Sequence, residues 1–309
     1  MEDTEAWLGI DWSGDIPAAR LARPGSPGRA RLVPLQGELR FRVTGSAARY
    51  CTGWFDLTGP EARHVVCRTW EQFGKGRQCR SCQYLEGMVA AHQGYDKSLS
   101  QMPPNLRGYL TQPHRLYLDI FADGTSKVGT VAEQRLASRL AEQGPVAACY
   151  VARARDGLQV RQLEAAVSRR LGLPQAVTAT RKLRALTAAV DVAALHASLS
   201  GLAARACVLA AETVSGDGWS PIDPPEAWKL PAISAAVFAA APLALYPLPL
   251  TAGEHSLTFR GLAGPVAMVT TTADDGAPLY VVNLGDLGGV AVTFGEYQSP
   301  ALGPEQATL

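Results

Sequence analysis

The stretch LYLDIFADGTSKVGT, residues 116–130, holds two short extended runs on either side of a turn. Leu116–Phe121 is apolar and aromatic, which is typical of a buried strand. Asp123-Gly124 is a dipeptide that tight turns favour, and Lys127–Gly129 follows it as the returning strand. The stretch therefore predicts a β-hairpin in the middle part of the 309-residue chain.

The residues after the hairpin predict a helix, a strand and a second helix. The first helix is expected over Val131–Gln143 and ends at Gly144, because glycine commonly closes helices. Ala147–Ala152 is short and apolar, as buried strands are, and Leu158–Leu171 carries its apolar residues on one helical face. Residues 100–184 are therefore predicted to form one mixed α/β module.

Four of the six cysteines lie close together in the sequence, between residues 51 and 82. In Cys79-x-x-Cys82 one tight turn aims two thiolates at a common point, and Cys51 and Cys67 form the natural second pair. Zinc binds four such ligands in a tetrahedron. The pattern therefore predicts a structural Zn²⁺ ion held by these four cysteines in a segment covering residues 51–99.

Two other interpretations of the cysteine segment remain open. His64 competes for one of the four ligand positions. Cys79 and Cys82 could also form a redox dithiol, although the segment lacks the strand-then-helix context which that motif requires. Cys149 and Cys207 lie in apolar runs and are predicted to be core residues.

Both ends of the chain are predicted to be rich in β-strands. Residues 1–50 include Gly37–Val43, where apolar and polar residues alternate as in a half-buried strand. Residues 185–309 are expected to begin with a helix over Val190–Leu209 and to continue as short strands with glycine turns over Ser256–Glu296. We expect these strands to form a small barrel or sandwich that the N-terminal strands complete. The fold class is then α+β.

The net charge of +1 conceals an uneven distribution along the chain. Residues 100–184 hold 13 basic and 6 acidic side chains, whereas residues 185–309 hold 3 basic and 11 acidic ones. A basic module beside an acidic one is typical of a protein that meets an anion with one part only. The alternative is that the two parts neutralise each other across an internal interface.

No segment is expected to direct the chain to a membrane. The start, MEDTEAWLGIDWSGD, is acidic and lacks the basic-then-apolar order of a secretory leader. Leu230–Leu250 is apolar enough to span a bilayer, but its prolines favour a buried hairpin or a helix followed by a turn. We therefore expect a cytoplasmic protein without membrane contact.

The central module resembles the GIY-YIG nucleases. In that family a hairpin carries two short motifs, one helix carries an arginine, and a later helix carries a metal-binding glutamate. LYLDIFADGTSKVGT, RLASRLAEQG and VRQLEAAVSRRL occupy those places here, and Gly129 matches the glycine of the second motif. The chain also resembles domain of unknown function family 2797, a bacterial group that pairs a cysteine segment with a KVG-type hairpin.

The GIY-YIG resemblance implies roles for five side chains. Tyr117 takes the place of the tyrosine in the first motif, Arg135 or Arg139 would hold the phosphate, and Glu164 would bind Mg²⁺ or Mn²⁺. The tyrosine of the second motif, which orients or deprotonates the nucleophile, is replaced by Lys127. A lysine acts as a base only when burial or neighbouring cations strongly lower its pKa.

Each of these side chains also has a structural interpretation. Tyr117 could be a strand residue whose ring packs in the core. Arg135 and Arg139 lie one turn apart and could form a solvated helix face. Glu164 could pair with Arg161 or Ser168 on its own helix. The order of the motifs, with the expected elements between them, favours the functional interpretation.

Together these patterns predict a zinc-stabilised protein associated with DNA or RNA. If the module is active, the resemblance implies a divalent-metal-dependent endonuclease or phosphodiesterase. A binding protein that keeps the fold without catalysis is one alternative. Another is an enzyme acting on a small molecule held between the central module and the C-terminal part, residues 185–309.

Overall fold

The computed structural model describes residues 3–26, 28–44, 48–87, 99–213, 217–274 and 276–300. The strands are β1 (Thr4–Asp11), β2 (Ala18–Ala22), β3 (Arg31–Pro34), β4 (Gly37–Val43), β5 (Arg49–Tyr50), β6 (Trp54–Asp56), β7 (Arg63–Val65), β8 (Gln72–Phe73), β9 (His114–Ile120), β10 (Ser126–Ala132), β11 (Ala147–Ala154), β12 (Trp219–Ala227), β13 (Ala244–Leu245), β14 (Glu254–Ala263), β15 (Val266–Thr270), β16 (Tyr280–Asn283) and β17 (Ala291–Phe294). The helices are α1 (Arg80–Glu86), α2 (Pro104–Leu110), α3 (Leu136–Gln143), α4 (Gly157–Leu171), α5 (Ala179–Ala185), α6 (Val192–Thr213) and α7 (Ala232–Ala240). This mixture of helices and sheets confirms the α+β class.

The larger sheet has nine strands in the order β13-β16-β15-β14-β4-β17-β1-β2-β3. The two ends of the chain meet in its middle, where β4 lies between β14 and β17, and β1 pairs with β17. Trp7, Phe41 and Leu257 are buried in the core that this sheet forms. The strand predicted over Gly37–Val43 is confirmed with those bounds.

Of the barrel and the sandwich that the sequence suggested, a closed barrel is wrong for the described part of the chain, because the larger sheet is open. Its edge strands, β13 and β3, are only 2 and 4 residues long and do not pair with each other. A barrel closes only when tilted strands continue the hydrogen-bond ladder all the way round. Edge strands this short cannot continue it, so the sheet ends at β13 and β3.

The smaller sheet contains the hairpin and has the order β10-β9-β11-β12. Leu116 and Leu118 point to the face that α4 and α6 cover, where they pack with Leu163 and Ala206. Because side chains alternate along a strand, Tyr117 lies on the opposite face, where it packs with Leu140 of α3. The sheet is therefore covered on both faces.

The first helix of the central module begins later than the sequence suggests. The strand β10 continues to Ala132, which pairs with His114, and a 3₁₀ turn over Glu133–Arg135 precedes α3. Val131 and Ala132 are buried in the sheet, so their apolar character reflects a strand and not a helix face. The predicted helix end is confirmed, because Gly144 closes α3 with φ of 67°, in the left-handed region.

Among the described residues, α6 alone is long and apolar enough to cross a membrane by length and composition. A single helix of this kind is a weak indication, since core helices pass the same test. Ala203, Ala206 and Ala210 of α6 are buried against the central sheet. The apolar segment Leu230–Leu250 instead forms α7 followed by β13, which agrees with the expected helix and turn.

Candidate zinc centre and charged cluster

Four buried thiols meet at one point in the first third of the chain. Cys51 follows β5, Cys67 follows β7, and Cys79 and Cys82 lie at the start of α1. The four residues are at most 3% exposed, and their Sγ atoms all lie within 4.8 Å of one another. The Sγ atoms of Cys67 and Cys79 are 3.8 Å apart. Four sulfurs that each lie roughly 2.3 Å from a zinc ion form a tetrahedron whose sulfur–sulfur edges are close to the Cys67–Cys79 distance. The donor set and the spacing therefore fit zinc.

The local backbone positions the thiols and directs N–H donors at two of the sulfurs. Cys79 caps α1, and its Sγ accepts the Cys82 backbone N–H at 3.4 Å. The backbone N–H of Cys79 in turn donates to the Sγ of Cys51 at 3.2 Å. Gly53, at φ of 80°, lets the backbone just before β6 lie against the end of β7. A Cβ at this position would lie 2.1 Å from the carbonyl oxygen of Val65. N–H donors to sulfur stabilise thiolates, the form that binds zinc.

His64 has a different role in this segment. Its Nε2 donates to the carbonyl oxygen of Thr52 at 2.7 Å. Burial, reinforced by Arg20, lowers the pKa of His64 to about 4, so the ring is neutral at physiological pH. Among the described residues, the group that could hold a metal consists of the four cysteines. His64 therefore steadies the loop next to Cys51.

Four of the five side chains implicated by the GIY-YIG resemblance lie in one cluster of the central module. Tyr117 comes from β9, Lys127 from β10, Arg139 from α3 and Glu164 from α4. Arg139 and Glu164 both act electrostatically on Tyr117 and on Lys127. Tyr117, Lys127 and Glu164 are only 1%, 3% and 8% exposed. The fold thus brings these groups together, but in an enclosed place.

Lys127 is held inside this cluster by two partners. Its Nζ donates to the Oε1 of Gln143 at 3.0 Å and lies 3.5 Å from the Oδ2 of Asp119. Asp119, directly opposite Lys127 in the hairpin register, is fully buried. Lys127 is therefore hydrogen-bonded to Gln143 and ion-paired with Asp119.

Arg135, the alternative phosphate-binding arginine, lies apart from this cluster. Its Nη2 donates to the Oε1 of Glu142 at 2.6 Å. Its guanidinium carbon lies 5.0 Å from the ring centre of Phe55, in the cysteine segment. The two arginines of RLASRLAEQG therefore have separate environments, and Arg139 is the one beside Tyr117.

Gly129 is required by the position of the Tyr117 ring. The two residues are paired across the hairpin, and a Cβ at Gly129 would lie 2.4 Å from the Tyr117 hydroxyl oxygen. The ring therefore lies over the bare backbone of β10. This contact gives a physical reason for a tyrosine and a glycine at these two motif positions.

We expect Gly129→Ala to lower the free energy of unfolding by about 1–3 kcal/mol, because the new methyl group overpacks the ring. Urea denaturation would measure the change. Gly201→Ala, in α6 with open space around its Cα, is the matched control and should be neutral or slightly stabilising. Adding Tyr117→Leu to Gly129→Ala should recover part of the loss, and equal effects of both glycine variants would contradict the contact.

The model of a family described as a protein of unknown function, DUF2797, matches residues 68–222, half of the chain. The matched range includes Cys79 and Cys82, the hairpin and the helices α3 and α4. The chain belongs to the DUF2797 family. No curated protein and no solved structure matches it.

The thiols of this DUF2797 protein have unequal proton affinities when they share a site without metal. A hydrogen bond from Cys82, helped by the backbone N–H of Cys79, lowers the pKa of Cys51 to about 5 against the effect of burial. The same hydrogen bond, together with burial, raises the pKa of Cys82. Burial also raises the pKa of Cys79. Bound zinc would take the place of the remaining thiol protons and satisfy all four sulfurs.

The charged cluster of the DUF2797 module is shaped by burial. Burial raises the pKa of Asp119 to about 6, although Lys127 and Lys182 oppose the effect. Burial also lowers the pKa of Lys127, with a smaller contribution from Arg139. The pKa of Glu164 is raised by burial, and Arg161, Lys127 and Arg139 oppose that rise. Three cations therefore favour the ionised form of the Glu164 carboxylate, and burial opposes it.

Sequence reasoning missed two members of the cluster. Asp119 interrupts the apolar strand Leu116–Phe121, and an acid at a buried strand position is a signal of a buried partner. Lys182 belongs to the basic stretch TATRKLR, where its side chain is indistinguishable from exposed neighbours. In the structure its Nζ donates to the carbonyl oxygen of Gln143 at 2.7 Å and lies 4.4 Å from the centre of the Phe121 ring.

Proposed function

We propose that this DUF2797 protein is a zinc-stabilised nucleic-acid-binding protein built on a GIY-YIG-like module. The observation that carries the proposal is the central sheet. A hairpin pairs with β11 through β9, and Tyr117, Arg139 and Glu164 reach one cluster from a strand and two helices. This is the order of elements that the resemblance implies. The four thiols support a structural zinc ion, since they fill a tetrahedron and leave no position for a reacting group.

Exposed arginines on the central module supply the surface for a polyanion. Arg169 and Arg170 lie in the last turn of α4, and Arg184 lies in α5. All three are exposed, and none has a carboxylate within ion-pair distance in the described part of the chain. Their charge agrees with the basic excess of residues 100–184. Unpaired arginines bind phosphate groups and release counterions, which makes affinity for nucleic acid salt-dependent.

Binding is favoured over cleavage because the motif side chains are enclosed and occupied. Tyr117 is 1% exposed and packs with Leu140 of α3, and Lys127 is paired with Asp119. A base or a water-orienting group has to reach the substrate at hydrogen-bond distance. We also propose that the protein is located in the cytoplasm. The six cysteines of the described residues form no disulfide, and thiol-based zinc sites suit a reducing compartment.

Salt dependence tests the proposal. The zinc-loaded chain is expected to bind a single-stranded or duplex oligonucleotide of DNA or RNA with an affinity that falls steeply as salt rises. Arg169→Gln/Arg170→Gln should reduce the magnitude of the slope of log affinity against log salt by about 1.5–2. The control is Arg23→Gln, which removes an exposed arginine paired with Asp3 outside the central module. No binding at low salt would reject the proposal.

A second candidate is divalent-metal-dependent phosphodiester cleavage. The lowered pKa of Lys127 favours it, because a lysine must lose its proton to act as a base. Glu164 would then hold Mg²⁺ or Mn²⁺, and Arg139 would hold the phosphate. Incubation of a labelled oligonucleotide with each metal tests this candidate. Cleavage should be abolished by Glu164→Gln and kept by Arg23→Gln, whereas metal-dependent cleavage that survives Glu164→Gln would exclude the scheme.

A further inference from the structure

A cavity of about 350 Å³ lies where the larger sheet, the cysteine segment and the central module meet. The larger sheet contributes Trp7 and Trp12, the cysteine segment Phe55 and Arg77, and the central module Arg135. The cavity is separate from the charged cluster around Lys127, none of whose members lines it. Its volume is within the range of small-molecule sites.

The walls of this cavity combine an aromatic ring with guanidinium groups. The guanidinium carbons of Arg20 and Arg135 lie 5.1 and 5.0 Å from the ring centre of Phe55. Arg20 is paired with Asp11 at 3.0 Å, and Arg135 is paired with Glu142. Both cations are therefore already neutralised, and they serve as flat, rigid surfaces against which a planar ring can stack.

Arg77 supplies the charge that the other two arginines do not. It is exposed at the cavity, and its Nη2 donates to the carbonyl oxygen of Gly285 at 3.0 Å. Among the described residues it has no carboxylate partner within ion-pair distance. Its remaining N–H groups can bind an anionic oxygen, and its exposure places that anion at the cavity's edge.

Trp7 supplies an unused donor. The residue is 1% exposed and lines the cavity, and its indole Nε1 is buried without a hydrogen-bond partner. Its backbone is fixed, because its N–H donates to Val290 at 2.9 Å and its carbonyl oxygen accepts from Gly289 at 2.7 Å. A buried N–H without a partner is costly, and an acceptor atom that reached it from the cavity would remove that cost.

The glycine-rich sequence Gly285-Asp286-Leu287-Gly288-Gly289 forms one side of the same cavity. Gly285 and Gly288 line it, and a Cβ at Gly288 would lie 3.5 Å from the Nε of Arg77. Larger side chains at these positions would fill the space beside Arg77. Bare backbone therefore keeps the cavity open next to its one unneutralised cation.

We propose that this cavity binds a nucleotide, with the base against the guanidinium groups of Arg20 and Arg135 and the phosphate at Arg77. A nucleobase provides the planar ring and the acceptor for the Trp7 indole N–H, and the phosphate provides the anion. The nucleotide is either a free monophosphate or one unit of a single strand. The inference does not depend on the exposed arginines of α4 and α5, nor on catalysis at the charged cluster.

Isothermal titration of the zinc-loaded chain with adenosine 5′-monophosphate, adenosine, inorganic phosphate and a ten-nucleotide oligo-deoxyadenylate tests the inference. The monophosphate or the oligonucleotide should bind more tightly than adenosine or phosphate alone. Trp7→Phe should raise Kd about fivefold by removing one hydrogen bond, and Arg77→Gln should raise it about tenfold or more. Arg80→Gln, an exposed arginine of the same segment outside the cavity, should leave Kd unchanged.

The outcomes separate this inference from the proposed function. Monophosphate binding that depends on Trp7 and Arg77, without oligonucleotide binding, supports the cavity and rejects the nucleic-acid proposal. Oligonucleotide binding that depends on Trp7 and Arg77 identifies a strand as the source of the nucleotide. Binding that is unchanged in both variants overturns the inference, as does the absence of binding. Thermal melts of Trp7→Phe and Arg77→Gln would establish that each variant is folded.

Discussion

Cys82→Ser is expected to remove the bound zinc and to unfold the segment around it. Serine has nearly the shape of cysteine but is a poor zinc ligand, so a fold that did not need metal would accept it. Cys82 is 3% exposed and lies in the first turn of α1, where the other three thiols surround it. Structural zinc contributes roughly 10–16 kcal/mol in small zinc-finger peptides, more than a segment with so little regular structure can replace.

The loss should spread from the cysteine segment to the larger sheet. The Tyr50 backbone N–H donates to the carbonyl oxygen of Gly289 at 2.8 Å, and Arg49 donates to those of Asp286 and Gly288. These bonds join β5, which directly precedes Cys51, to the loop before β17. We therefore expect a lower melting temperature as well as exposure of thiols.

Metal analysis and thermal unfolding would measure both effects. One zinc ion per chain is expected for the native protein and for the control Cys207→Ser, whose sulfur lies outside the cluster. Cys82→Ser should hold substantially less zinc and melt at a lower temperature, and a strong chelator should reproduce its behaviour in the native chain. Full zinc content and an unchanged melting temperature in Cys82→Ser would reject the structural zinc.

Local patterns in the sequence were enough to predict several elements. The alternation of Gly37–Val43 depends on one buried face, and the structure confirms that strand with the same bounds. Gly144 ends α3 because glycine alone adopts the left-handed conformation without strain, a local property of the residue. The continuation of β10 to Ala132 was missed because buried strand and helix residues are equally apolar.

The sequence led us to expect that strands from both ends of the chain combine, but the strand order and pairings of the larger sheet could not be predicted in the same way. Its central pairs join β4 to β14 and β1 to β17, strands that lie more than 200 residues apart in sequence. No spacing or composition records such pairings. The open edges depend on β3 and β13, whose short lengths become evident only once the neighbouring strands are known.

The candidate sites differ in how much the sequence could indicate. Four cysteines with one short spacing define a ligand set by themselves, and the fold brings them together. The roles of Tyr117 and Glu164 came from the resemblance and stay predictions. The pairing of Lys127 with Asp119 was beyond the sequence, because isolated lysines are normally solvated and the pairing across the hairpin requires the register.

Lys127→Met is expected to lower the free energy of unfolding by about 3–5 kcal/mol, because it leaves the buried Asp119 carboxyl group without its ion-pair partner. Both carboxylate oxygens of Asp119 lack a hydrogen-bond partner among the described residues, and Lys127 is the cation at ion-pair distance. Urea denaturation in zinc-replete buffer would measure the loss. Arg23→Met breaks the exposed pair with Asp3 and should cost under about 1 kcal/mol.

The double variant Asp119→Leu/Lys127→Met distinguishes a lost pair from lost packing. Replacing both charges with apolar groups of similar size removes the unpaired carboxylate, so most of the stability of the native chain should return. A double variant as unstable as Lys127→Met would show that packing dominates. A loss in Lys127→Met no larger than that in Arg23→Met would instead show that the buried pair contributes little.

The loss of free energy of unfolding in Lys127→Met should also depend on pH. The pKa of Asp119 determines whether the loss grows or shrinks as pH rises. That pKa is about 6 in the folded chain, above the ordinary value of 3.8, and losing Lys127 removes an attraction that lowers it. The folded variant therefore binds a proton more tightly than the unfolded chain does. Protonation at pH 5 removes the unpaired charge, whereas at pH 8 the carboxyl group must either stay ionised or take up a proton at a cost in free energy. The destabilisation should therefore be larger at pH 8 than at pH 5, and the opposite order would exclude Asp119 as its cause.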